Sequence, residues 1–253
     1  MSKAQNNHLY SILQTRIGSK ILKFCYFISA FLMVSCGDTS AKKTTEAESV
    51  IEQSEPIEES LSANKTILCF GDSITAGLGL EDTNDAYPGV LQQRIDSLNL
   101  GYTVINSGVS GETTAGGRSR IDWVIKQKPS IFLLELGAND GLRGVALTET
   151  QSNLQAIIDV VKTKSPETTI VLAGMQMPPN MGLNYTTKFE ALFLNLAEEN
   201  DLEFIPFILK DVGGISDLNQ RDGIHPNAEG HKIVANNVWD VLKPLLDYKV
   251  TSH

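Results

Sequence analysis

The sequence predicts an α/β protein: a parallel β-sheet covered by helices on both faces. Two observations predict it. From Thr66 onward, short apolar runs alternate with longer stretches of helical periodicity, and such alternation implies parallel strands joined by helical crossovers. The residues that carry chemistry also recur in one kind of place, directly after an apolar run or in a loop able to reach that edge. They are Gly71-Asp72-Ser73, Ser110-Gly111-Glu112-Thr113, Gly137-Ala138-Asn139-Asp140 and Asp222-Gly223-Ile224-His225-Pro226. Parallel strands put their carboxyl ends on one side of the sheet, where ligands bind in open α/β folds.

Two segments of different character precede the globular part. Residues 1–35 hold Lys3, Arg16, Lys20 and Lys23, no acid, and an apolar run over 24–34. That run has the length of a signal-peptide core and is short for a membrane span. It stops at Met33-Val34-Ser35-Cys36, which resembles a bacterial lipoprotein signal with Cys36 as the lipidated N-terminus. A plain secretory signal or an uncleaved anchor fits the same residues. Residues 36–63 are then the lipidated Cys and an acidic tether, because seven acids, two lysines and no aromatic residue follow Cys36. Such a composition buries too little apolar surface to offset ordering. The domain proper is expected over 64–253.

Loss of residues 1–35 leaves 17 basic against 30 acidic residues, a net charge of −13. With that balance and no basic stripe, no nucleic-acid partner is expected. Membrane attachment would come from lipid on Cys36, giving an exported lipoprotein on the periplasmic side or the cell surface. Cys25 and Cys69 have no evident partner, so no disulfide framework is implied. Cys69 reads as a small buried strand residue.

The elements follow in order. Residues 66–70 are uniformly apolar after Thr66 and predict the first strand. Val90, Leu91, Ile95 and Leu98 lie at helical spacing and predict a helix over 86–98. Residues 102–106 predict the second strand and a helix near 117–126 follows. The third strand is expected over 130–136 and its helix over 148–164. The fourth strand is 169–173, with a helix over 185–199. Glu203-Phe204-Ile205-Pro206 is a short fifth strand. A last helix over 228–246 has Asn227 as its cap. No internal repeat is visible.

Ser73 is the candidate nucleophile, since a hydroxyl after a strand stands at the ligand-binding edge. A helix N-cap is the alternative job for a serine there. His225 is the candidate general base. Of the four histidines, His8 lies in the signal, His231 falls in the last helix pattern and His253 ends the chain. Asp222, three residues before His225, can orient the imidazole from a tight turn; turn formation alone is its other reading. No Gly-x-Ser-x-Gly elbow and no Lys after the Gly-rich turn are present, so neither the larger α/β-hydrolase class nor a phosphate loop is supported. No Cys/His pair or acidic cluster has ligand spacing, so no metal is expected.

The four segments, in this order over Gly71 to Pro226, resemble the four blocks of the SGNH (GDSL) hydrolase family. The run from Glu135 to Gly144, with Leu136-Gly137-Ala138-Asn139-Asp140-Gly141-Leu142-Arg143 between, is similar to its bacterial thioesterase, lysophospholipase and arylesterase branch. The resemblance implies a three-layer α/β/α sandwich with a five-stranded parallel sheet in the flavodoxin-like order 2-1-3-4-5. It implies a cofactor-free serine esterase cleaving esters or thioesters of small-molecule or lipid substrates through a Ser-His-Asp acyl-enzyme. It also implies an oxyanion hole from the Ser73 N–H, Gly111 and Asn139. Met175, Met177 and Met181 would shape the acyl site, or simply pack on the core. A carbohydrate O-acetylesterase, which the same blocks also serve, is the alternative; a lipid- or glycan-binding lipoprotein without catalysis is another, against which the intact set of five residues argues.

Overall fold

Five parallel strands form one sheet: β1 (Thr66–Gly71), β2 (Thr103–Gly108), β3 (Ile131–Glu135), β4 (Thr169–Ala173) and β5 (Glu203–Ile205). Their order is β2-β1-β3-β4-β5, the flavodoxin-like order. The computed structural model describes residues 65–246. The signal, Cys36 and the tether lie outside the described residues. Leu68 of β1 pairs with Ile105 of β2 on one side and Phe132 of β3 on the other. All six residues of β1 and all five of β3 are buried, which explains their unbroken apolar runs, since helices cover both faces of a central parallel strand. The edge strand β2 has no fully buried residue.

Among the described residues six α-helices lie between the strands, α1 (Ser73–Ala76), α2 (Tyr87–Ser97), α3 (Thr114–Val124), α4 (Ala138–Leu142), α5 (Leu147–Lys164) and α6 (Leu183–Asn200), and α7 (Ala228–Leu242) follows β5. α2 packs with α7, while α3 packs with α5 and α5 with α6, giving the helical layers of a three-layer α/β/α sandwich. Asn227 caps α7 as expected, its side chain accepting from the Gly230 N–H at 3.0 Å.

The boundaries differ in three instructive places. α7 ends at Leu242 and gives way to a 3₁₀ turn over Lys243–Leu245, short of the expected 246. Pro244 has no N–H for the ladder and its ring crowds the carbonyl four residues back. α3 starts at Thr114, earlier than the pattern indicated, because Thr113 caps it by accepting from the Gly116 N–H; Gly116 and Gly117 had hidden that first turn. The helices α1 and α4 are too short to show any periodicity. α1 is defined instead by its ends, with Asp72 accepting from the Ile74 N–H and Gly77 closing it at φ 77°.

Candidate active site

The turn after β1 divides its work between neighbours. Asp72 is the cap of α1, its Oδ1 accepting from the Ile74 N–H at 3.0 Å. Ser73, buried in the first turn, is therefore free of the capping role, and its Oγ lies 2.9 Å from His225 Nε2. His225 Nδ1 lies 2.7 Å from Asp222 Oδ2. The neutral tautomer protonated on Nδ1 satisfies both bonds, donating to Asp222 and accepting from Ser73.

Asp222 is fixed by its own turn. Its Oδ1 accepts from the Ile224 N–H at 2.9 Å and the His225 N–H at 3.1 Å. Those bonds, the Ile224 one foremost, lower its carboxyl to about 2. The turn is held by the Gln220 N–H donating to the His225 carbonyl at 2.8 Å and by an antiparallel bridge between Asn219 and Pro226. Gln220 Nε2 also donates to the Leu78 carbonyl, fastening this loop to the chain just beyond Ser73.

Gly111 and Asn139 arrive from two other loops. Asn139 lies in the first turn of α4, and its Nδ2 donates to Asp72 Oδ2 at 3.0 Å, which sets it beside the Ser73 turn. Gly111 stands in the left-handed region at φ 78°, where a side chain would be strained. Its loop is pinned by Arg120, whose guanidinium pairs with Glu112, donates to the Ser107 carbonyl at 2.9 Å and covers the Phe70 ring at 3.7 Å. Arg143 Nη2 donates to the Gly111 carbonyl at 2.9 Å and lies 3.5 Å from Asn139 Oδ1. The structure thus brings together Ser73, Asp222, His225, Gly111 and Asn139 from four separate loops.

Met175 and Met177 are buried in the core and Met181 is half-buried against it. Core packing is thus where the structure places the first two. A side chain on Gly141 of α4 would collide with Met177, so Met177 underlies the helix that carries Asn139. Among the described residues no group of three or more His, Cys, Asp or Glu is placed to hold a metal.

Sequence reasoning missed Glu135. It ends β3 wholly buried. Its Oε2 accepts from the Thr75 hydroxyl at 2.7 Å and the Asp72 N–H at 3.2 Å, and Thr75 Oγ1 lies 2.8 Å from the Tyr87 hydroxyl. Glu135 Oε1 has no partner among the described residues. Burial first, then the Asp72 charge, pushes the Glu135 carboxyl well above its ordinary value. Burial likewise raises Asp72, to about 6. The available signal was an acid closing an otherwise apolar run, since carboxyls are rarely buried without a reason.

Fold and comparison together define the class, that of the SGNH (GDSL) hydrolases. The family model described as the GDSL-like lipase/acylhydrolase family matches residues 69–233. The chain belongs to that family. It is 39% identical to the esterase TesA of Pseudomonas aeruginosa over 186 residues, which cover 73% of this chain and 91% of the relative. It is 34% identical to the thioesterase 1/protease 1/lysophospholipase L1 of Escherichia coli strain K12, over 74% of this chain and 88% of that one. The crystal structure of the psychrotrophic esterase EstA from Pseudoalteromonas sp., inhibited by monoethylphosphonate, matches with a TM-score of 0.67 at 32% identity. That match covers 71% of this chain and 97% of the other.

Proposed function

We propose that the protein hydrolyses acyl esters or thioesters, of the lysophospholipid, acyl-thioester or aryl-ester kind, through a Ser73 acyl-enzyme. The observation that carries this reading is the bonded series Ser73 Oγ, His225 and Asp222, with gaps of 2.9 and 2.7 Å. Ser73 Oγ attacks the carbonyl carbon while His225 Nε2 takes its proton. Asp222, with its carboxyl lowered to about 2, is a carboxylate at neutral pH and steadies the imidazolium. The carbonyl oxygen becomes an oxyanion facing the Ser73 and Gly111 N–H groups and the Asn139 amide, whose second hydrogen is not committed to Asp72. Nε2 returns the proton to the departing alcohol or thiol. Water, deprotonated at the same nitrogen, then releases the acid.

The surroundings favour acyl chains over sugar acetates. Leu78, Val109 and Ile224, on three separate loops, and Leu142, at the end of α4, are 44%, 46%, 49% and 45% exposed. Exposed apolar side chains on the segments that carry the site residues suit an apolar substrate. Met181, half-buried on the loop after β4, would complete the acyl end. For the anchor we rely on the sequence: Cys36 carries the lipid and holds the enzyme at a membrane on the exported side.

Hydrolysis of p-nitrophenyl esters from acetyl to palmitoyl by residues 37–253 tests the reading, with Ser73→Ala as control. Turnover rising toward medium or long chains, and reduced by several orders of magnitude in Ser73→Ala, is the expected result. Turnover confined to acetate would favour a carbohydrate O-acetylesterase. No serine-dependent turnover would favour a binding lipoprotein.

A further inference from the structure

Arg143 follows α4 directly, and its guanidinium crosses to a loop 32 residues earlier in the chain to donate to the Gly111 carbonyl at 2.9 Å. The same Nη2 stands 3.5 Å from Asn139 Oδ1. Among the described residues this exposed guanidinium has no carboxylate partner. Its contacts are instead with the two residues that flank the oxyanion position from separate loops.

The consequence for Asn139 is electrostatic. Its amide is held at both ends, Nδ2 donating to Asp72 Oδ2 at 3.0 Å and Oδ1 facing the guanidinium. Were the amide turned over, its NH₂ would face a cation and its oxygen would face the Asp72 carboxyl, both unfavourable. Charge on the two sides therefore fixes which end of the amide donates. For Gly111 the consequence is positional. Apart from its chain neighbours, only Arg143 comes within 4 Å of where a side chain on Gly111 would stand, while the Arg120–Glu112 pair holds the loop from the next residue.

We propose that Arg143 is a positioning residue for the oxyanion site, holding the Gly111 loop and the Asn139 amide in register with Ser73. The proposal rests on the ester-hydrolysing reading above. A group that sets donors for an oxyanion acts on the transition state more than on bound substrate, so its loss is read in kcat rather than KM. Arginine suits the task because its rigid planar guanidinium holds Nη2 between the two acceptors, whereas the lysine ammonium is a point charge on a flexible stem.

The test uses the full chain with Arg143→Ala and Arg143→Lys, each alone and combined with Asn139→Ala, on p-nitrophenyl butyrate, with thermal unfolding as the control. Arg143→Ala is expected to lower kcat about tenfold at nearly constant KM and Tm. Arg143→Lys falls between it and the wild type. In the Asn139→Ala background the same alanine substitution is expected to lower kcat clearly less than tenfold, because only the part of its work done through Gly111 remains there. A change confined to KM, or a full tenfold loss in both backgrounds, would overturn the proposal. Should Arg143→Ala unfold, Arg143→Lys carries the same cycle. If the wild type shows no Ser73-dependent turnover, the ester-hydrolysing reading itself fails and this proposal with it. Serine-dependent turnover with additive losses removes Arg143 alone.

Discussion

Gly71 is a glycine because a carboxyl group occupies the place of its side chain. A Cβ there would collide with Thr75 Oγ1 and Glu135 Oε2 and approach the Glu135 carbonyl to 2.8 Å. Its backbone is not left-handed, so close approach and not handedness is the requirement. The space lets Glu135 reach the Asp72 N–H and the Thr75 hydroxyl on either side of Ser73. A carboxyl buried there without a cation favours its neutral form. Its folded value lies well above the ordinary 4.5, so between the two values the folded chain keeps a proton that the unfolded chain releases. Stability from this group is fully present below pH 4.5 and declines as pH rises toward the folded value. Glu135→Gln keeps an acceptor and cannot ionise. Urea unfolding from pH 5 to 8 should show the glutamine variant gaining on the wild type by at most about 1.4 kcal/mol per pH unit. A difference that stays constant with pH would mean that the carboxyl is ionised throughout.

At the scale of elements, α2 and α7 are joined by an unusual cap. α2 has no side-chain cap of its own, since Ala86 precedes it. His231 of α7 supplies one, its Nδ1 accepting from the Tyr87 N–H at 3.2 Å. Burial, then the nearness of His225, lowers His231 to about 4 from an ordinary 6.5. The unfolded chain therefore binds this proton first, and stability is lost as pH falls from 6.5 toward 4. His231→Leu should cost about 1–3 kcal/mol at pH 7 by leaving a buried donor unpaired. Thermal unfolding at pH 7 and pH 5 checks this: the deficit should shrink at pH 5, where the wild type also bears the histidine's cost. The same scale shows what sequence can convey. Long helices were legible because one-sided burial imposes a period of 3.6, and the central strands because burial on both faces leaves unbroken apolar runs. The meeting of Ser73 with Asp222 and His225 followed from parallel strand ends sharing one edge. The one-turn helices α1 and α4 carry no period. Arg143 reads as loop within Gly141-Leu142-Arg143-Gly144, and its partner Gly111 is known only once the loops are placed. Glu135 looked like the end of a strand, since nothing in its own neighbourhood reveals that Gly71 makes room for it.

At the scale of the whole molecule, the described chain begins at the amino end of β1, whereas Ser73, Asn139, Gly111 and His225 gather at the carboxyl ends of the strands. The first described residue, Lys65, is thus at the end of the strands opposite the site, and among the described residues no group named in the site precedes Gly71. Anchoring and catalysis should therefore separate. The acidic balance of 30 Asp and Glu against 21 Lys and Arg in the full chain gives no electrostatic hold on an anionic bilayer, and no helix among the described residues is long and apolar enough to cross one. Lipid on Cys36 is then the proposed means of attachment, and Cys36→Ser should move the protein from the membrane to the soluble fraction. The wild type should stay with the membrane in 1 M salt, as about that concentration screens surface charge to a few ångströms. Turnover of a soluble p-nitrophenyl ester should be the same for both forms. Retention of Cys36→Ser on the membrane would assign the anchor to the apolar run over 24–34. Release of both forms would leave a secreted enzyme, and a fall in turnover on release would show that the membrane takes part in forming the site.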